Sequence, residues 1–101
     1  MTRIATELPP GLARYKQTPQ FTAKTVPGAL LTAHSVKAGV WGLLRVLHGR
    51  VRYCLDDGTP KALLIGSGGT AVIEPEVRHH VELLDEDSAF LVEFHRPEAD
   101  E

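Results

Sequence analysis

The chain has 101 residues, 43% of them hydrophobic, and a formal net charge of −2. That size is one domain with one core. The mixed charge excludes the basic face that nucleic acid needs, and no apolar run reaches the ~20 residues that cross a bilayer. The N-terminal stretch MTRIATELPPGL lacks the apolar core of a signal peptide. The single cysteine, Cys54, allows no internal disulfide, so the expected compartment is the reducing cytoplasm.

Residues 1–26 carry little periodicity and are interrupted by Pro9, Pro10 and Pro19. They read as an extended arm with short strand-like pieces such as Gln20 to Thr25. Leu12, Tyr15 and Phe21 are its anchors to the body or to a partner subunit. Residues 27–97 follow a strand-and-turn pattern. Ala29 to His34 reads as a short strand and Lys37-Ala38-Gly39 as a turn. Val40 to Leu47 is apolar on both faces except at Arg45, which places it centrally and asks for an acidic partner to Arg45. His48-Gly49 marks a kink or bulge.

Val51, Tyr53 and Leu55 alternate with Arg50, Arg52 and Cys54, the signature of one buried face. Asp56-Asp57-Gly58 is a hairpin turn leading to Lys61 to Ile65. Gly66-Ser67-Gly68-Gly69 turns the chain into Thr70 to Ile73, and Glu74-Pro75-Glu76 turns it again. His79 to Leu84 and Ala89 to Arg96 are expected to pair as a last hairpin, and residues 98–101 as a frayed acidic tail. The seven to ten short strands, without a convincing amphipathic helix, define an all-β sandwich or barrel. So short a chain leaves sheet edges or faces to cover, and a homodimer is expected to do so.

Two phrases stand out. Gly28 is followed by five residues and His34; Gly69 is followed by five residues, Pro75, and then His79. These phrases resemble the two motifs of cupins, which are double-stranded β-helix or jelly-roll barrels. More closely, LPPGLARYKQTPQFTAKTVPGALL, HSVKAGVWGLLRVLHGRVRY, IEPEVRHHVELL and LVEFHRPE resemble the small cupin family related to YeaR and to the N-terminal domain of the tellurite-resistance protein TehB. The resemblance covers nearly the whole chain. It implies a cupin-type barrel and a site containing His34 and His79. It also implies a stress-related role in handling oxyanions. Val36 stands where a second histidine of the general cupin motif would fall, and Gly42 or Trp41 where its glutamate would. The usual set of three histidines and one glutamate is therefore not carried over.

Two imidazoles on one barrel suit a divalent transition metal such as zinc, iron or nickel, which usually takes three or more protein ligands. Glu93 is the candidate third ligand. It interrupts the apolar run Phe90–Phe94, where a carboxylate faces solvent, pairs with a cation, or binds metal. His95 shares its side of the strand and is a weaker candidate, with Glu74, beside the Pro75 turn, weaker again. Lys37 is placed to present an ammonium to an anionic ligand, or is a solvated turn residue. Trp41 either walls the pocket or packs. His80 alternates away from His79, and His48 reads as an exposed turn residue. The ordinary alternative for His34 and His79 is a hydrogen-bonded pair near a barrel mouth. Three functions follow: a metal-binding protein for a small-molecule or oxyanion ligand, a non-haem iron type dioxygenase or isomerase, and a metal-free binding module.

Overall fold

In the computed structural model, residues 7–58 and 61–98 are described. They form eight strands: β1 (Leu12–Gln17), β2 (Phe21–Thr22), β3 (Trp41–His48), β4 (Val51–Leu55), β5 (Ala62–Ile65), β6 (Thr70–Ile73), β7 (His79–Leu83) and β8 (Ala89–Pro97). The described residues are all-β, with one short 3-10 turn at Gly28–Leu31. No helix among the described residues is long and apolar enough to cross a membrane.

The strands divide into two antiparallel sheets. The larger runs β1-β8-β3-β6, with β2 also paired to β8, and the smaller runs β5-β4-β7. Among the described residues no ladder joins the two, so the closed barrel expected from the sequence is not formed. The chain crosses between sheets at its turns instead. One such crossing also replaces the expected last hairpin: β7 pairs with β4, whereas β8 pairs with β1, β2 and β3. Ser88 fixes that crossing. Its fully buried hydroxyl donates to the Arg50 carbonyl at 2.7 Å and accepts from the amides of Asp85 and Arg50. Gly49 packs directly on it at φ 67°, where a Cβ would meet the Ser88 Oγ at 2.7 Å. Both the conformation and the space require glycine.

The core lies between the sheets. Period-two alternation sends Leu44 and Val46 of β3, Val51, Tyr53 and Leu55 of β4, and Phe90 and Val92 of β8 inward. Each large side chain hidden this way contributes about 1.5–3 kcal/mol. Phe21 anchors the N-terminal segment edge-on against Phe90, with ring centroids 5.7 Å apart. Central placement of β3, between β8 and β6, follows from its apolar character. Arg45 on its outer face donates to Glu93.

Two N-terminal expectations are corrected. Of Gln20 to Thr25 only Phe21–Thr22 is strand; the chain then turns, with the amides of Thr25 and Val26 bonded to the Thr22 carbonyl. Ala29 to His34 is not a strand either. Pro27 enters a 3-10 turn, and no neighbouring strand offers residues 29–33 a ladder. His34 alone forms a bridge, to His79, and the Glu76 amide donates to the Val36 carbonyl beside it. This segment covers the edge of β7 that β4 leaves open.

Candidate functional site

His34 and His79 are brought together by that bridge. The His34 amide donates to the His79 carbonyl at 2.9 Å, and the His79 amide to the His34 carbonyl at 2.7 Å. Their rings meet at 60° with centroids 4.2 Å apart. Each Nδ1 lies 2.9 Å from the carbonyl two residues earlier, Thr32 for His34 and Val77 for His79. A carbonyl only accepts, so Nδ1 carries the proton in both rings and the lone pair of the neutral ring resides on Nε2. Tyr53 packs against His79 at 5.3 Å between centroids.

His79 is 2% exposed. Burial pushes its pKa down to about 4; the Val77 carbonyl opposes this and the neighbouring His34 adds to it. The ring is therefore neutral at pH 7. Burial, with Glu74 and Asp57 nearby, pushes the Tyr53 hydroxyl well above its ordinary value. A protonated Tyr53 thus packs against the neutral His79 ring.

The two rings line a cavity of about 390 Å³ between the sheets. Phe21, Leu30, Val36, Ile73, Val92 and Phe94 make most of its wall, and Lys16, Thr18 and Ser35 add polar groups. Lys37 lines an adjoining hollow of about 210 Å³ that shares Lys16, Val36 and Phe94 with it. Of the lining residues from the N-terminal segment, Phe21 was marked as an anchor, whereas Lys16 and Thr18 carried no sequence signal. Lys16 and Thr18 reach the cavity because β1 runs along β8, and the Thr18 amide continues that pairing to the Val92 carbonyl.

The other candidates lie elsewhere. Val92 and Phe94 face the cavity, so alternation turns Glu93 and His95 to the outer face of the large sheet. Glu93 is buried there, which raises its pKa; hydrogen bonds from Arg45 at 2.9 Å and His95 at 3.1 Å outweigh this and hold it below its ordinary value, with Arg14 adding at 3.6 Å. The carboxylate is answered by cations rather than by the histidine pair. The set of two histidines and one carboxylate anticipated for iron chemistry is therefore not assembled. Trp41 stands opposite His95 on the same outer face and does not wall the cavity. Glu74 follows β6 beside Tyr53 and is not among the lining residues.

A small two-sheet β domain with an internal histidine-ended cavity is the class of protein these features define. The chain belongs to the TehB-like domain family, which matches residues 16–92. The uncharacterized protein YeaR of Escherichia coli K12 is 28% identical over 96 residues, spanning 87% of this chain and 81% of YeaR. TehB of Haemophilus influenzae, a probable S-adenosyl-L-methionine-dependent methyltransferase, is 32% identical over 77 residues; the match spans 72% of this chain but only 27% of that protein. The crystal structure of TehB superposes with a TM-score of 0.79 at 27% identity, covering 87% of this chain and 32% of TehB. A crystal structure of an E. coli K12 protein superposes with a TM-score of 0.85 at 29% identity, covering 92% of this chain and 98% of that one.

Proposed function

We propose that this domain binds a small anionic ligand in the cavity through a divalent transition metal ion, zinc, iron or nickel, gripped by the Nε2 atoms of His34 and His79. The observation that carries this reading is the pair of locked imidazoles. Both Nδ1 protons are committed to backbone carbonyls, so Nε2 is the nitrogen left to coordinate on each ring. A metal-bound histidine typically has this arrangement, its far nitrogen donating to a carbonyl or carboxylate. The donors fit a metal in part. Two imidazoles fall short of the usual three or more protein ligands, and the described lining adds no carboxylate or thiol. The remaining positions are left to water and to the ligand's own oxygen atoms.

Membership of the TehB-like family supports an oxyanion of the tellurite type as the ligand class. The methyltransferase activity in TehB's name is that protein's, and we assign none to this chain. We further read the two sheets as a cupin-type jelly roll opened along one side, working in the cytoplasm as a homodimer. The half-buried Trp41, Leu43, Leu47 and Leu91 on the outer face of the large sheet support self-association, which light scattering on the eluting protein measures directly.

Nickel titration of protein purified without an affinity tag, with and without tellurite, tests the metal reading. Binding should tighten with the anion and weaken at least tenfold in both His34→Ala and His79→Gln. Equal binding in wild type and both variants would overturn it. A second reading, a metal-free pocket, is favoured by the apolar wall and the missing third donor. It predicts tellurite binding that persists in chelator.

A further inference from the structure

β7 carries a second histidine whose surroundings the cavity does not use. His80 points to the opposite face, across the smaller sheet from Cys54, its register partner on β4. Arg52 and Glu82, two positions along the same ladder, form the next pair on that face. Cys54 Sγ, one ring nitrogen of His80 and one carboxylate oxygen of Glu82 lie within 4.8 Å of one another. We propose that Cys54, His80 and Glu82 form a zinc-class metal site on the outer face of the smaller sheet, separate from the histidine pair in the cavity.

Three details of geometry support it. First, His80 Nδ1 lies 2.7 Å from Asp56 Oδ2, so Nε2 is the nitrogen turned toward Glu82. A carboxylate behind a histidine fixes the tautomer and orientation that metal ligation needs. Second, Arg52 occupies Glu82 Oε1 at 2.7 Å, so Oε2 is the oxygen turned toward the imidazole. Third, His80 Nε2 and Glu82 Oε2 stand 3.4 Å apart. That exceeds the 2.7–3.2 Å typical of a strong N–H···O bond. Two such ligands, each about 2.0–2.1 Å from one tetrahedral ion, stand about 3.4 Å apart. The pair is spaced to share a cation. Thiolate, imidazole and carboxylate are each established zinc ligands, and a tetrahedral ion would keep its fourth position for water. Alternation on β4 and β7 explains why these residues meet: Val51, Tyr53, Leu55, His79 and Val81 turn inward, and Cys54, His80 and Glu82 outward.

Cobalt(II) titration of the tag-free full chain tests the assignment, since thiolate ligation alone gives an intense near-ultraviolet charge-transfer absorption. Wild type should show this band at one cobalt per chain. Cys54→Ser should abolish it, and His80→Ala or Glu82→Gln should weaken cobalt binding at least tenfold. Asp56→Asn, which only orients His80, should weaken it about 10–100-fold. His34→Ala and His79→Gln should leave the band intact, which separates this site from the cavity. Far-ultraviolet circular dichroism confirms that each variant is folded. Absence of the band in wild type, or its persistence at unchanged affinity in His80→Ala, would overturn the proposal and leave the cavity reading untouched.

Discussion

His79 and His80 are adjacent on one strand and occupy opposite electrostatic worlds. His79 turns inward, is 2% exposed, and its pKa falls to about 4 because burial disfavours the cation. His80 turns outward, and its pKa rises, first through its hydrogen bond to Asp56 and then, against some desolvation, through Glu82. A single step of the pleat separates a neutral, carbonyl-pinned lone-pair donor from a carboxylate-flanked group that favours the proton. The two sites proposed on either side of β7 have the same origin. A strand in a thin two-sheet domain presents functional groups to two unrelated environments at once.

The largest expected effect that tests this contrast is on stability. His79→Ala empties a buried space beside Tyr53 and should cost about 2–4 kcal/mol. His80→Ala removes partly exposed ion pairs and should cost about 0–1 kcal/mol. Urea denaturation of both variants at pH 7 makes the comparison, and equal losses would break it.

Acid sharpens the contrast. His79 has a folded pKa of about 4 against an ordinary value of 6.5. Between these values the unfolded chain binds the proton more readily than the folded one. The contribution of neutral His79 is therefore complete above about pH 6.5 and lost as the pH falls through about 4, a change of about 3 kcal/mol. His80 has the opposite sign. Its raised pKa contributes stability below the ordinary histidine value, and that contribution is lost as the pH rises through the folded value. Urea midpoints recorded from pH 7.5 to 4 should fall in wild type and flatten in His79→Gln. An unchanged slope in that variant would show that other groups carry the acid response.

The outer face of the large sheet offers a smaller effect. Glu93→Gln removes the charge that Arg45, His95 and Arg14 share, and should cost about 1–3 kcal/mol. It should leave nickel affinity at the cavity unchanged. A loss of nickel binding would return Glu93 to the histidine pair.

Legibility in the sequence followed the range of the interactions. Alternation in Val51–Leu55 and the turn glycines marked the strands, because both are local. The spacing from Gly28 to His34 and from Gly69 to His79 anticipated a meeting of two imidazoles, although the first phrase ends in a bridge rather than a strand. Glu93 was harder to place. Its strand is apolar on both sides, so composition did not reveal which face was the core. The cations that answer it come from β1 and β3, through pairings that no local pattern encodes. Lys16 and Thr18 were hidden for the same reason. Cys54 and His80 were each assigned the correct face, but their meeting depends on the register of β4 against β7.

The smallest effect probes the histidine pair itself. His34 lowers the pKa of His79 by its proximity, after burial has done most of the work. In His34→Ala the main-chain bridge to His79 needs no side chain and should persist, as should the Nδ1 contact with Val77. The titration of the His79 ring, followed by NMR, should therefore move slightly upward yet stay well below the ordinary histidine range. The titration of His80, across the sheet, should remain above that range. A large upward movement of His79 would mean that the first ring, rather than burial, keeps the second one neutral, and the inward and outward faces of β7 would then differ for another reason than the one given.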